Sequence, residues 1–410
     1  MIGKHNSVLS RVKNVNPKVF DVGCVCHLAN ICAQKGIKIL PLPVEELLTE
    51  VFLHFYRSSK QKEALKEFQQ FTDVEPMKLL KHCSIRWLSL ERCVGHMLQQ
   101  WPALRSYFES HPECEKPGRI KRCYENLINE EMWLYFAFLE FILPILNDFN
   151  TMFQASESMI GHLHVEMTRL LRKLLGKFVS TNVITSEPDI TNVKFRLLEN
   201  QHKDSILAVG WRAREFLSSN EDLAPEITNN FFRSARKFYC EVVGKMIQKF
   251  PFDDEVLRAM AYLNPDTKEK VSPNEVVKLA NRFLDIPVEE TQALEDEAQE
   301  YILTPSQKLP PRGEMSLEQY WRLLSSLRNP ATGKLKLELL YRLSVVVLSL
   351  PHSNADTERT FSILRKIQSD SRGSLDQKTI ESLLSVKVNN HSECHQWSPD
   401  NDLLKETKNA

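Results

Sequence analysis

The sequence predicts a mainly α protein, and three observations lead to this prediction. Only 12 of the 410 residues are glycine, whereas sheet-rich folds use glycine freely in their tight turns. Apolar residues recur at helical spacing over long stretches, as in residues 47–55. The best strand candidate is one short β-branched segment, residues 19–25. Most of the chain is therefore expected to pack as helices.

Each element follows from a local pattern of apolar residues and helix-ending residues. Segment 26–36 reads as a helix that stops at Gly36, and a helix over 90–101 is expected to end at Pro102. Pro351 ends an apolar helix that begins near residue 335. The remaining helices are predicted from about residue 43, with an apolar stripe over 47–55, and at 7–15, 131–153, 158–179, 193–219, 225–249, 273–284 and 317–327. Two more follow: one that Ser353 can cap and that carries Phe361, Leu364 and Ile367, and a last one that carries Ile380, Leu383 and Leu384.

Composition and charge exclude several classes of protein. The 53 Lys and Arg residues balance 53 Asp and Glu residues, which argues against a strongly basic nucleic-acid coat and against an acidic tail protein. Apolar residues make up 42% of the chain, as in a globular protein of two or three domains. Neither a membrane span nor a secretion signal is expected. Nine cysteines without a C-x-x-C pair indicate reduced thiols in the nucleus or cytoplasm.

The region between the predicted helices at 273–284 and 317–327 is unusually acidic. Residues 285–300 contain seven acidic residues and no basic residue, and a proline pair follows at 310–311. This composition predicts that residues 286–313 form an exposed acidic and proline-rich linker. Residues 391–410 are polar and are expected to form a flexible tail.

Three short motifs could carry chemistry, and each also has a purely structural interpretation. Cys24 and His27 form a C-x-x-H, which is half a metal site or else a structural thiol beside a core histidine. Arg86 and Trp87 could hold a phosphate and stack a base, or Trp87 could be an ordinary buried side chain. Glu358 lies in a first helical turn, where the helix dipole favours a carboxylate in any case.

Taken together and in this order, the three motifs resemble the hAT superfamily of DNA transposases, and most closely its domesticated vertebrate copies. The resemblance covers nearly the whole chain, and residues 315–390 are similar to the hAT dimerisation region. It implies an α/β core of ribonuclease-H type, interrupted by a large helical insertion domain. It also implies that Glu358 matches the glutamate of the metal-binding DDE triad. Trp87, next to Arg86, matches a tryptophan that stacks on a flipped base, and Cys24 and His27 match the family's C-x-x-H.

One departure from the family shapes the functional prediction. Both aspartates of the triad are expected before the C-x-x-H, and the sequence resembles the family only from a point after them. One carboxylate cannot hold two divalent metals. The resemblance therefore implies an N-terminally truncated, non-catalytic protein without a metal or cofactor, which also lacks the BED-type zinc finger.

The predicted architecture has five parts. Residues 1–39 are interpreted as a remnant of the incomplete ribonuclease-H-like core, residues 40–285 as the helical insertion domain and 286–313 as the linker. Residues 314–390 are interpreted as the dimerisation region that completes the core, and 391–410 as the tail. The candidate dimer contacts are Leu339, Leu340, Leu343, Val346, Val347, Ile380, Leu383 and Leu384, although a helix that is apolar on all sides can also be simple core.

The predicted function is protein dimerisation, with a second copy or with a related hAT-derived protein. Binding of DNA or chromatin in the nucleus is a further possibility, because residues 1–130 carry 19 basic and 14 acidic residues. Neither a membrane nor a small-molecule substrate is expected. Two alternatives stay open: a metal-dependent strand-transfer enzyme, if the upstream aspartates exist, and a degenerate relic without a selected function.

Overall fold

The computed structural model describes residues 7–82, 89–220, 222–284, 286–369, 372–389 and 398. The regular secondary structure of these residues is helical, and besides the helices they contain only isolated β-bridges. The prediction of a mainly α protein is confirmed. The chain divides into two compact units, residues Met1–Ser353 and Asn354–Ala410.

The first unit contains sixteen α-helices among its described residues. In chain order they are α1 (Val8–Val15), α2 (Val25–Ile37), α3 (Val44–Tyr56), α4 (Ser59–Phe71), α5 (Ser89–Glu109), α6 (Arg119–Ile128), α7 (Glu130–Met152), α8 (Leu163–Leu175), α9 (Thr181–Ser186), α10 (Trp211–Ser219), α11 (Pro225–Lys249), α12 (Glu255–Ala259), α13 (Pro273–Phe283), α14 (Val288–Leu303), α15 (Leu317–Leu324) and α16 (Glu338–Leu348). The second unit contains α17 (Ala355–Ile367) and α18 (Gln377–Asn389). Short 3₁₀ turns, such as Ile160–His162 and Met260–Leu263, connect several of these helices.

Helix α7 lies at the centre of the first unit and contacts α2, α5, α10 and α11. Its fully buried side chains include Met132, Leu134, Tyr135, Phe136, Phe138 and Leu139. By length and composition alone α7 could cross a membrane, but 67% of its most apolar stretch is buried inside the chain. A helix that is apolar on nearly all sides is typical of a protein core, and α7 occupies this position.

Helix α2 packs along α11, and a glycine permits their close approach. A Cβ atom added at Gly36 would lie 2.5 Å from a Val242 methyl carbon and 2.7 Å from the Phe238 ring. Both distances are shorter than carbon atoms tolerate, so any larger residue would push the two helices apart. Gly36 therefore serves helix packing, and α2 continues past it to Ile37.

The predicted strand at residues 19–25 is wrong. Residues 19–24 have no regular secondary structure, and Val25 is already the first residue of α2. Val25, Cys26 and Ala29 are buried because they lie on the face of α2 that joins the helical core. A β-branched segment forms a strand only when neighbouring strands supply hydrogen bonds, and no strand is present among the described residues. A ribonuclease-H-like sheet is thus not formed by the described part of the chain.

The prediction that residues 286–313 form an exposed linker is also wrong over most of its length. Residues 288–303 form α14, which packs against α13 and α16. Its buried side chains are Leu294, Ala298, Tyr301 and Ile302. They recur at the spacing of one helical face, and three of the acidic residues, Glu289, Asp296 and Glu300, are exposed to solvent.

Candidate dimerisation region

Helix α16 carries five of the predicted dimer contacts, and the structure divides them into two groups. Leu340, Leu343 and Val347 have no exposed surface, because α16 packs against α13, α14 and α15 of the same chain. Leu339 and Val346 are half-buried. The fully buried group belongs to the core of the first unit, as the alternative interpretation of an all-apolar helix anticipated.

The N-terminus of α16 is fixed by a carboxylate from α14. The Leu340 backbone N–H donates a hydrogen bond to Glu297 Oε2 at 2.8 Å. Partial burial raises the pKa of Glu297, while backbone N–H groups at the start of α16 oppose this effect. A carboxylate at this position accepts from otherwise unpaired N–H groups and complements the positive end of the helix dipole. The Glu297 carboxylate thereby links α14 to the first turn of α16.

The C-terminus of α14 is fixed by a buried lysine. Lys268 has no exposed surface, and its Nζ donates hydrogen bonds to the carbonyl oxygens of Tyr301, Ile302 and Thr304 at 3.0, 2.7 and 2.6 Å. The same ammonium lies 5.4 Å from the centre of the Tyr301 ring. Burial lowers the pKa of Lys268, because it disfavours the charged form. These carbonyls have no partners within the helix, so the lysine caps α14.

Sequence inspection did not identify Lys268 or Glu297 as important residues. Glu297 is one of seven acidic residues within 285–300, a segment without a basic residue, and nothing in their spacing distinguishes it from the others. Lys268 lies in a short 3₁₀ turn, and its partners follow more than thirty residues later. Only the fold brings these groups together.

The second unit presents apolar side chains on both of its helices. Phe361 of α17 is 57% exposed, and Val386 and Val388 of α18 are 59% and 40% exposed. The predicted contacts Ile380, Leu383 and Leu384 on α18 are half-buried. Of the described residues of this unit, only Ala355 and Ile367 are buried. Two helices of 13 residues each cannot enclose a core of their own, so α17 and α18 form a candidate protein interface.

Glu358 lies in the first turn of α17 and is exposed to solvent. Its backbone N–H donates to the Asn354 carbonyl oxygen at 2.9 Å. On the same turn, the Asp356 carboxylate forms an ion pair with Arg359. Within the part of the chain that the structure describes, no group of three His, Cys, Asp or Glu side chains lies close enough together to hold a metal ion. Asp356 and Glu358 therefore do not fit a two-metal centre.

The C-x-x-H motif lies at the start of α2 and not at the end of a strand. Cys24 is the N-cap residue and is half-buried, whereas His27 is exposed in the first turn. The expectation that His27 is a core histidine is therefore wrong. The neighbouring thiol of Cys26 is fully buried and lies 3.6 Å from the Asn150 carbonyl oxygen. Cys32 lies in the same helix, and burial raises the pKa of its thiol to about 12. Cys26 and Cys32 act as small core residues.

The candidate DNA-binding residues Arg86 and Trp87 lie outside the described residues. Their predicted role in base stacking therefore stays a prediction.

Comparison with known proteins identifies the C-terminal part of the chain. Residues 297–389 match the model of the hAT family C-terminal dimerisation region. A search of curated proteins found no match to the chain. The matched segment begins at the capping residue Glu297, includes α15 and α16, and ends with α18. Residues 297–389 therefore match the C-terminal dimerisation region of the hAT family, and over these residues the resemblance to that family's transposases is confirmed.

Proposed function

We propose that this protein is a domesticated, transposase-derived protein that acts without catalysis, by dimerising through its C-terminal region. Its partner is a second copy of the chain or a related hAT-derived protein. The observation that carries the proposal is the match to a dimerisation region over residues 297–389, of which the final part, α17 and α18, exposes apolar side chains.

The physical argument for association through α17 and α18 rests on exposed apolar surface. Phe361, Val386 and Val388 leave large apolar side chains in water on both helices of the second unit. Pairing these helices with a partner would remove that surface from water, and each fully buried Val or Phe contributes about 1.5–3 kcal/mol. A second copy offers the same surface around a twofold axis, which is the commonest arrangement of homodimers.

The absence of catalysis is supported by the surroundings of Glu358. This carboxylate is solvated at a helix N-terminus, and metal-dependent strand transfer would require two or three carboxylates that converge on the metals. A cleavage assay with a supercoiled plasmid and Mg²⁺ tests this part. Cleavage that Glu358→Gln abolishes would contradict it.

The proposal also includes a nuclear location and binding of DNA through the N-terminal part of the chain. The support is the excess of 19 basic over 14 acidic residues in residues 1–130. If Trp87 stacks on a base, Trp87→Ala should weaken binding of single-stranded DNA by about 1–3 kcal/mol. Equal binding by both proteins in a salt titration would remove this second function.

Sedimentation of paired variants of the full chain tests the dimerisation proposal. The first variant combines Phe361→Ser with Val386→Ser in the second unit. The control combines Phe71→Ser with Val288→Ser, whose side chains are 81% and 85% exposed in the first unit. If the remaining exposed surface of Phe361 and Val386 is buried in the dimer, each copy loses about 2–3 kcal/mol of association energy in the variant.

Summed over the two copies of the dimer, the loss is about 4–6 kcal/mol, which corresponds to a dissociation constant roughly a thousand-fold weaker or more, since about 1.4 kcal/mol is a factor of ten. The control variant should sediment like the unmodified chain. Equal weakening in both variants, or none in either, would show that α17 and α18 are not the interface.

A further inference from the structure

A groove in the first unit, far in sequence from the dimerisation region, has the chemistry of a ligand site. It lies between α3, α4 and residues 74–82, which have no regular secondary structure. Its volume is about 390 Å³. Small-molecule sites in proteins span about 300–1,000 Å³, whereas a docked helix or a nucleic acid needs a longer surface. The size of this groove therefore favours a small molecule.

The walls of the groove are apolar. Phe55 of α3 and Leu65 of α4 form buried parts of the lining, with 3% and 5% of their surface exposed. Phe52, Met77 and Leu79 are half-buried and complete the apolar lining. Methionine adapts its shape to flexible apolar ligands better than branched side chains do. A ligand with an apolar chain would fit these walls.

The edge of the groove is positively charged. Three exposed lysines line it: Lys62 and Lys66 lie one turn apart on α4, and Lys78 comes from the irregular segment. Lys62 Nζ donates a hydrogen bond to the Tyr56 carbonyl oxygen at 3.1 Å. Lys66 pairs with Glu63 at 3.0 Å, but Glu63 is not part of the lining.

No carboxylate lines the groove among the described residues, and Lys78 has no ion-pair partner there. An apolar groove with an exclusively cationic edge is complementary to a molecule with an apolar tail and an anionic head. We propose that this groove binds a long-chain carboxylate, such as a fatty acid, with the tail between α3 and α4 and the carboxylate at Lys62 and Lys78. This inference is independent of the dimerisation proposal.

Calorimetric titration of the full chain with sodium tetradecanoate, below its micelle concentration, tests the inference. One molecule should bind per chain. Tetradecanol, which has the same tail without the charge, should bind at least ten-fold more weakly. Added salt should weaken the binding of tetradecanoate but not that of tetradecanol.

Two variants locate the site. Replacing Lys62, Lys66 and Lys78 together by Glu should weaken the binding of tetradecanoate at least ten-fold and leave the binding of tetradecanol unchanged. A matched control replaces the exposed lysines Lys237, Lys249 and Lys278 by Glu, which changes the net charge equally but lies outside the groove. The control should bind tetradecanoate like the unmodified chain.

A third variant, Met77→Trp, should fill the groove and block both ligands while the circular dichroism spectrum stays unchanged. The inference is overturned if tetradecanoate does not bind, or if it binds Met77→Trp and the unmodified chain equally. It is also overturned if the two lysine variants weaken binding to the same extent, or if only an acidic amphipathic peptide binds at this groove.

Discussion

Replacing the buried Lys268 by methionine should destabilise the attachment of α14 to the first unit. Methionine keeps most of the aliphatic stem and its packing but removes the ammonium group. The Lys268 Nζ donates to three carbonyl oxygens at the end of α14, at distances between 2.6 and 3.0 Å. Without the ammonium, these buried or half-buried carbonyls lose their only donor from a charged group.

The magnitude follows from two opposing contributions. Three hydrogen bonds from a charged donor contribute about 4–5 kcal/mol at the lower end of their range of about 1.5–3 kcal/mol each. Dehydration of the ammonium offsets part of that gain. We take this cost as about 2 kcal/mol, because all three N–H groups of the ammonium donate hydrogen bonds. Lys268→Met should therefore lower the free energy of unfolding of the first unit by about 2–3 kcal/mol.

The assay is urea unfolding followed by circular dichroism, combined with hydrogen exchange of individual amides. The matched control is Lys308→Met, since Lys308 is exposed in the turn that follows α14. The control should change stability by no more than about 0.5 kcal/mol. In Lys268→Met, amides of residues 300–304 should lose protection before those of α7. If both variants have equal stability and equal exchange, Lys268 does not cap α14 and our account of this segment is refuted.

Three further predictions concern the rest of the first unit. Burial lowers the pKa of His54, and that of His162, from 6.5 to about 4, so between these pH values the unfolded chain binds protons that the folded chain does not. Stability should therefore be complete above pH 6.5 and fall towards pH 4, by about 1.4 kcal/mol per pH unit for each fully shifted histidine, and His54→Gln should flatten this dependence in urea titrations. Gly36→Ala should destabilise the α2–α11 contact by about 1–3 kcal/mol, because its Cβ would lie 2.5 Å from a side chain of α11. Gly95→Ala, with no atom within 4 Å of its Cβ, should instead stabilise α5 by about 0.5–1 kcal/mol, and urea unfolding of both glycine variants measures the two effects. Because burial raises the pKa of Cys32 to about 12, its thiol should react with a disulfide reagent only after urea unfolding, and reaction at the native rate of exposed thiols would contradict its burial.

Local patterns in the sequence predicted the helices well but failed where tertiary contacts decide the outcome. The periodic apolar residues of α7 and α11 correctly indicate helices, because the spacing of these residues within each segment is enough to show a helix with a buried side. The segment at 19–25 looks like a strand only when its composition is considered alone, since a strand needs partners elsewhere in the chain. Composition likewise suggested a linker at 286–313, although Leu294 and Ala298 are four residues apart, a spacing that places both on one face of a helix.

The candidate site shows the same division. The C-x-x-H, the Arg86–Trp87 pair and the motif around Glu358, taken together and in order, suggested the hAT family, and the match over residues 297–389 supports that resemblance for the C-terminal part. The sequence could not separate core from surface on α16, because Leu340 and Val346 are equally apolar. Only packing against α13, α14 and α15 buries the first completely and leaves the second half-buried. The capping roles of Lys268 and Glu297 depend on contacts between distant segments, which no local pattern encodes.

The molar mass of the full chain in solution tests the central claim most directly. Size-exclusion chromatography with light scattering should be run over a concentration series that spans the micromolar range. We predict a mass of twice 47.6 kDa at the upper concentrations, falling towards 47.6 kDa on dilution. A mass of 47.6 kDa at every concentration would contradict self-association through the C-terminal region and would leave only a related chain as the partner.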